Sequence, residues 1–147
     1  MARVSIGYPV EAAEIAMIGT HAGLRPLEDL QPVTDAATLN RLVRLVGQIH
    51  VSEPVQRYAV ALVTATRRSP DLLLGASPRA TLHLVRAGKA AAAMDGRDYV
   101  IPDDLQTLAV PVLAHRLLPT VEASMGGRTA QTTLQSIVAS VPMPTGQ

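Results

Sequence analysis

The sequence contains no cysteine, phenylalanine or tryptophan, and its aromatic residues are three tyrosines. Without cysteine the chain can form neither disulfide bonds nor thiolate metal sites. Because large aromatic rings are almost absent, Leu, Val, Ile and Ala must fill the interior, and residues of this size favour closely packed helices. Three scattered tyrosines also offer no stacking platform for nucleic-acid bases.

Charge is sparse as well, since charged residues make up 17% of the chain and the net charge is +1. This balance argues against binding to nucleic acid or to an anionic membrane surface. No apolar run approaches the ~18 residues of a membrane span, and the N-terminus has no apolar signal core. What is present is a hydrophobic fraction of 48% in 147 residues, enough for the core of one domain. We therefore expect a cytoplasmic protein without a membrane span.

The periodicity of the chain predicts an all-α helical bundle preceded by one short β-strand. Val4, Ile6 and Tyr8 alternate with small or polar residues up to Pro9, which is typical of a strand, although no partner strand is evident. Pro111 is expected to kink or divide the fifth helix. Helices are predicted from Pro9 to about Thr20, from Thr34 or Asp35 past Val46, from Glu53 to Arg68, from Pro78 to Asp95, from Pro102 onward, and from the Gly126-Gly127 turn to Val141.

The segment Gly75-Ala76-Ser77-Pro78-Arg79 places a cation at the start of the fourth helix. Ser77 is a preferred N-cap residue and Pro78 suits the first helical position. Apolar residues at helical spacing predict that another face of this helix is buried, so that Arg79 is held in a defined direction. Such an arginine suits a phosphate sensor, whereas an ordinary solvated arginine is the alternative. The predicted buried residues are Ala80, Leu84, Ala87, Ala91 and Met94.

Several apparent catalytic motifs fail on inspection. Gly88-Lys89 resembles the end of a phosphate-binding loop, but His83 replaces the first glycine and Ala90 the Ser or Thr that would hold magnesium. The four histidines are too far apart for a sequence-local metal pair, so no metal site is predicted. No Gly-x-Ser-x-Gly nucleophile sequence is present either. The chain alone therefore lacks the parts of an enzyme.

Five short motifs follow one another along the chain: Gly7-Tyr8-Pro9, Tyr58 with Thr66-Arg67, Gly75 to Arg79, Gly96 to Val100 with Pro102-Asp103-Asp104, and His115-Arg116. In this order they resemble the C-terminal lid portion of MoxR-type AAA+ ATPases. The resemblance covers nearly the whole chain, from Val4 to about Pro144, although each motif is weak alone. It implies that residues 1–8 are the last strand of an AAA+ core and that residues 9–147 are the α-helical lid.

The resemblance implies that Arg79 is the second sensor, the lid arginine that reaches the terminal phosphates of ATP held on the core. A guanidinium is always charged and offers a planar fork to phosphate oxygens, so it can distinguish triphosphate from diphosphate. Arg79 is therefore the expected catalytic residue, and the resemblance implies that it contacts the nucleotide together with its neighbour Pro78. Tyr8 and Pro9, at the junction of core and lid, are expected to meet the adenine, with hinge packing as the alternative.

Other charged residues in these motifs have simpler explanations. Arg67 and Arg97 could bridge to a neighbouring subunit, but surface ion pairs are favoured for both. His115 and Arg116 are interpreted as cations at a helix end that satisfy carbonyl groups. The carboxylates Asp103 and Asp104 are explained by capping.

The family resemblance also implies ligands and partners for the full-length protein. It implies ATP and magnesium as cofactors, neither expected on this fragment alone, and a phosphate loop, acidic metal-binding pair, first sensor and arginine finger on a core outside this chain. Partners would be that core, the other subunits of a homo-hexameric ring, and von Willebrand factor A-type proteins. The expected function is coupling of ATP hydrolysis to chaperone-like remodelling or maturation of partner proteins.

Three alternatives remain open at this point. The chain could be the lid of a magnesium-chelatase-like motor or a stand-alone helical adaptor without ATPase activity. A helical DNA-binding regulator is the third, and the near-neutral charge argues against it.

Overall fold

The computed structural model describes residues 2–21 and 30–144. The chain divides into two compact units, Val4–Leu42 and a larger unit formed by Met1–Arg3 with Val43–Gln147. The described residues contain seven α-helices and one two-stranded sheet, which confirms the all-α prediction. The elements are α1 (Glu11–His21), α2 (Ala36–Gln48), α3 (Glu53–Arg68), β1 (Leu72–Leu74), α4 (Pro78–Met94), α5 (Pro102–Leu113), a 3-10 turn (Ala114–Arg116), β2 (Leu118–Pro119), α6 (Val121–Met125) and α7 (Ala130–Ser140).

The smaller unit contains α1 and the first half of α2. The predicted β-strand Val4–Tyr8 is not formed, since residues 2–10 carry no helix or strand and Tyr8 is 97% exposed. A strand needs a neighbouring ladder to satisfy its backbone groups, and the described residues offer none here. Asp35, one of the two predicted caps of α2, accepts the Thr38 N–H at 2.6 Å. The predicted loop around Pro26 lies outside the described residues.

The core of the larger unit lies between α3, α4, α5 and α7. Tyr58 on α3 is buried, and its hydroxyl accepts a hydrogen bond from Gln106 of α5 at 2.9 Å. Burial of aliphatic side chains supplies the main stabilisation, as expected for a chain with so few aromatic residues. The largest fully buried aliphatic side chains are Leu62, Leu84, Leu105, Leu113, Leu134, Val63 and Val112.

Helices α4 and α5 approach closely because Gly88 has no side chain. A Cβ atom at Gly88 would lie 2.8 Å from Cδ2 of Leu105 and 3.2 Å from Cγ1 of Val100. The buried face of α4 is therefore Ala80, Leu84, Gly88 and Ala92. The predicted face was partly wrong: Ala87 and Ala91 are half-buried and Met94 is 87% exposed.

Most predicted helix boundaries are confirmed, although the short helix α6 was not predicted and two further details differ. Ser77 occupies the N-cap position of α4, yet its side chain accepts no hydrogen bond from the helix. Helix α5 continues through Pro111 to Leu113 and is not divided there. It ends only two residues later, so the missing donor of Pro111 affects just the last turn. At the end of α4, Gly96 adopts a φ of +73°, as predicted for a left-handed stop.

The small sheet joins two connections that are distant in sequence. Strands β1 and β2 are antiparallel, with Leu72 opposite Pro119 and Leu74 opposite Leu118. A separate parallel bridge links His50 to Tyr99, so that the connection before α3 runs beside the one before α5. Each of these paired segments lies just before a helix. Strand β1 leads directly into the segment that carries Arg79.

Candidate functional site

Arg79 lies in the first turn of α4 and its side chain is exposed. Within residues 2–21 and 30–144, its guanidinium takes part in no hydrogen bond or ion pair. An arginine without an internal partner keeps all its donors available for an external anion. The structure thus places a free cation where the sequence predicted one.

The backbone just before α4 is fastened to the end of α3. The Thr66 hydroxyl accepts the Ala76 N–H at 2.9 Å, and it donates to the Val63 carbonyl at 2.7 Å. Arg67 Nε donates to the Ala76 carbonyl at 2.7 Å. Both backbone groups of Ala76 are therefore bonded to consecutive residues of α3. We call the set Thr66, Arg67, Gly75 and Ala76 the mount.

Gly75 allows the close contact within the mount. A Cβ atom at this position would lie 2.7 Å from Arg67 Cα, 2.8 Å from Arg67 N and 2.8 Å from the Thr66 carbonyl carbon. These are backbone atoms, which cannot move aside as a flexible side chain can. The glycine is thus required by packing against α3.

Arg67 has a different role from the one that the sequence suggested. We expected a surface ion pair, but the side chain instead donates to a backbone carbonyl nine residues away in the sequence. Thr66 and Gly75 were noted only as parts of motifs. No local pattern identifies the three residues as one structure, because the contact depends on how the chain returns to α3 after β1.

The exposed face of α4 continues the positive charge of Arg79. His83 and Arg86 follow at four and seven residues, positions that share a face of a helix. Partial burial first, and then surrounding positive charges that include Arg116, Arg79 and Arg86, lower the pKa of His83. His83 is therefore neutral at neutral pH, and the arginines carry the charge of this face.

Arg97 forms the ion pair that the sequence suggested, although it is more buried than a typical surface pair. Its two terminal nitrogens bind the Asp104 carboxylate at 2.9 and 2.7 Å, and one also binds Asp95 at 2.9 Å. Asp104 also accepts the Ile101 N–H at 3.0 Å, so its predicted capping role is confirmed. The Asp104 side chain is only 8% exposed. This pair holds the α4–α5 connection and leaves Arg97 engaged within the chain.

The Asp104–Arg97 pair predicts an acid-dependent stability. Burial alone would raise the pKa of Asp104, but hydrogen bonds from Arg97 and Ile101 and the charge of Arg97 together lower it. A carboxylate with a depressed folded-state pKa stabilises the fold above its unfolded pKa of about 3.9, and this contribution disappears as pH falls further.

Chemical denaturation from pH 7 to pH 2 should therefore show Asp104→Asn to be less stable at pH 7 and less sensitive to acid than the wild type. Asp103→Asn, at the adjacent exposed carboxylate, keeps the pair and should retain the wild-type acid dependence; equal acid dependence in all three proteins would contradict the assignment.

The remaining predicted site residues do not all belong to the same compact unit as Arg79. Pro78 precedes it as the first residue of α4 and is exposed. Tyr8 and Pro9 belong to the other compact unit, where both are exposed. Arg116 Nε donates to the Val112 carbonyl at 3.1 Å, as expected for a cation at a helix end. Burial, followed by the charge of Arg116, lowers the pKa of His115.

The described residues offer one exposed cation on a fixed helix start. Arg79 fits a phosphate group, since it is exposed, unpaired and carried on a fixed helix start. Within residues 2–21 and 30–144 no cluster of three or more His, Asp or Glu side chains could hold a metal ion.

Comparison with known proteins identifies the family to which this fold belongs. Residues 64–137, from the mount to the last helix, match the family described as the AAA lid domain. The chain belongs to the AAA lid domain family. The match begins two residues before Thr66 and so includes the mount, Arg79 and the Asp104–Arg97 pair.

Individual relatives point to MoxR-type proteins. The lid is 34% identical to YeaC of Bacillus subtilis, over 97% of this chain and 44% of that protein. It is 30% identical to the chaperone MoxR1 of Mycobacterium tuberculosis, over 97% of this chain and 40% of that protein. Protein MoxR of Paracoccus denitrificans is 38% identical over 46% of this chain and 24% of its own length. The predicted resemblance to the lid portion of MoxR-type AAA+ ATPases is confirmed, and the chain spans less than half the length of these relatives.

A solved structure shows the same fold. The crystal structure of a candidate ATPase from Cytophaga hutchinsonii superposes with a TM-score of 0.84 at 24% identity, covering 99% of this chain and 47% of that one. At this identity the likeness concerns the fold alone.

Among the described residues of the lid, no helix is both long and apolar enough to cross a membrane.

Proposed function

We propose that this lid works in a MoxR-type AAA+ ATPase and that Arg79 is its second sensor, contacting the terminal phosphates of ATP bound on the core. The observation that carries the proposal is the unpaired, exposed guanidinium on a helix start that is fastened to α3. A guanidinium binds a triphosphate more strongly than a diphosphate, because the γ-phosphate adds charge and acceptor oxygens.

Loss of the γ-phosphate would then weaken the attraction between the lid and the core. A ligand shifts a conformational equilibrium only by its differential affinity for the two states, and the Arg79 contact supplies such a difference. ATP and magnesium are the cofactors of this reaction, and Tyr8 and Pro9 are assigned to the adenine end of the nucleotide. The lid position would report whether ATP or ADP is bound.

The broader role rests on the relatives. One of them is named a chaperone, which supports remodelling or maturation of partner proteins as the use of the ATPase cycle. The assembly proposed is a homo-hexameric ring in the cytoplasm, in which each lid adjoins the core of its own chain. Proteins with von Willebrand factor A-type domains are the proposed partners.

Replacing Arg79 tests the proposal directly. In the full-length ATPase that carries this lid, Arg79→Ala should lower ATP turnover about a hundredfold, the typical effect of removing one donor to transition-state charge. The fold should be unaffected, because the side chain is exposed and has no partner in the described part of the chain. Steady-state ATP hydrolysis, with circular dichroism and thermal unfolding of the same samples, measures both effects.

Arg86→Ala is the matched control for this experiment. Arg86 lies on the same exposed face of α4, two turns further on, and its removal changes the net charge equally. It should retain most of the wild-type turnover, because it lies about 10 Å along the helix from Arg79. Normal ATP hydrolysis by Arg79→Ala would reject the sensor assignment.

A further inference from the structure

The direction in which Arg79 leaves α4 is set by the hydrogen bonds of the mount, because α4 lacks the usual side-chain hydrogen bond from its N-cap residue. Ser77 gives no side-chain cap to α4, so the first turn lacks the contact that normally fixes a helix start. Ala76 instead is bonded to α3 through both its N–H and its carbonyl. Ala76 lies only three residues before Arg79, so the position of the first turn follows from these two bonds.

The two bonds differ in how they contribute to folding. Thr66 is fully buried, and its loss would leave the Ala76 N–H without a partner in the interior. Ala76 itself is 1% exposed, but the Arg67 side chain that covers its carbonyl is exposed, so removing Arg67 opens this carbonyl to water, which can replace the hydrogen bond. Removing Arg67 should therefore leave the fold intact while loosening the first turn of α4.

We propose that Arg67 is a positioning residue for Arg79, a role that rests on the proposed sensor function. Its Nε–H holds the Ala76 carbonyl, and the peptide of Ala76 sets the direction in which α4 begins. A charged group must be held close to its productive geometry to stabilise a reaction, and small displacements are costly. Arg67 thus acts on ATP hydrolysis through Arg79.

Turnover by the full-length ATPase is the first measurement. Arg67→Ala should lower kcat about tenfold to a hundredfold, as expected for misplacement of a reacting group. Arg68→Ala is the matched control, since Arg68 is the adjacent exposed arginine on α3 and makes no hydrogen bond in the described residues. It should keep wild-type turnover, and both variants should retain a cooperative unfolding transition close to that of the wild type.

Two conservative variants separate hydrogen bonding from charge. Arg67→Gln places an N–H donor on the atom that follows Cδ, the position of Nε in arginine, but carries no charge. Arg67→Lys keeps the charge but has a methylene group at that position. Positioning through Nε predicts that Gln restores more turnover than Lys. The reverse order would overturn the inference, because it would mean that the charge of Arg67 acts directly.

A double-mutant cycle links the two arginines. In an Arg79→Ala background, Arg67→Ala should lower turnover by less than about twofold, since residues that act as a unit are not additive. An undiminished effect in that background would overturn the inference. Impaired Arg79→Ala with normal Arg67→Ala would overturn it while leaving the sensor proposal in place, whereas normal Arg79→Ala would overturn both.

A measurement on this chain alone tests the structural step. Amide hydrogen exchange at Ala76 and at Ala80 in the first turn of α4, whose N–H groups are bonded to Thr66 and Ser77, should be faster for Arg67→Ala than for the wild type or Arg68→Ala, because local opening no longer requires breaking the bond from Arg67 to the Ala76 carbonyl. The rates in α5 and α7 should not change. Equal exchange in the first turn of α4 for all three proteins would overturn the proposed role of the bond.

Discussion

Adding one methyl group at Gly75 should reduce the stability of the lid and also the ATP turnover of the full-length ATPase proposed above. The new Cβ would lie 2.7 to 2.8 Å from backbone atoms of Thr66 and Arg67, well inside van der Waals contact. The segment before α4 must then move away from α3, which stretches both hydrogen bonds to Ala76. Overpacking of this kind costs about 1–3 kcal/mol of unfolding free energy.

The functional loss from Gly75→Ala should be at least as large as that from Arg67→Ala, since both bonds of the mount are disturbed. We expect about a hundredfold lower kcat, the size of effect that a displacement of about 1 Å can produce. Gly47→Ala is the control: Gly47 lies in α2, and a Cβ atom there would have no neighbouring atom within 4 Å. It should be neutral or slightly stabilising, because alanine is the better helix former. Wild-type stability and turnover for Gly75→Ala would show that the segment can separate from α3 without cost.

A second large effect, on the free energy of unfolding, is expected where α4 and α5 meet. It can be tested by asking whether one substitution in this contact offsets another. Leu105→Ala should destabilise the fold by about 2–5 kcal/mol, since the side chain is fully buried and its removal leaves a cavity. Gly88→Ala should cost about 1–3 kcal/mol, because its Cβ would meet Leu105 Cδ2 at 2.8 Å.

The double variant Gly88→Ala/Leu105→Ala should be more stable than the sum of the two single losses predicts. Truncating Leu105 removes the atom that the new methyl group meets, and the methyl group fills part of the cavity, so the two changes couple favourably. Chemical denaturation of the four proteins gives the coupling free energy, expected to exceed about 1 kcal/mol. Leu134→Ala serves as the control partner for Gly88→Ala, because Leu134 is also fully buried but is not among the nearest atoms within 4 Å of the Gly88 position. Strict additivity in the first pair would mean that α4 and α5 are not in close contact at Gly88.

The helices were predictable because their ends are marked in the sequence. Pro54, Pro78 and Pro102 all lie in the first turn of a helix, where the missing N–H is tolerated. Gly96 ends α4 with a positive φ, a conformation that other residues rarely adopt. These signals are local, so one sequence is enough to find them.

Features that depend on distant parts of the chain were not predictable. The sheet pairs Leu72–Leu74 with Leu118–Pro119, and nothing in either short segment identifies the other. The buried face of α4 was predicted wrongly in part because the alanine run 90–93 gives no contrast between its faces. In the site, the position and exposure of Arg79 followed from its helix start. The contacts of Arg67 and Gly75 required the three-dimensional return of the chain to α3.

The burial of Tyr58 gives the lid an internal optical probe. Tyr8 is 97% exposed and Tyr99 is 51% exposed, whereas Tyr58 is 3% exposed and bonded to Gln106 across α3 and α5. Because the chain has no tryptophan or phenylalanine, its near-ultraviolet circular dichroism should come mainly from this one ordered phenol, and fixed packing is what that signal detects. Every variant discussed above can therefore be checked for an intact α3–α5 interface without attaching a label.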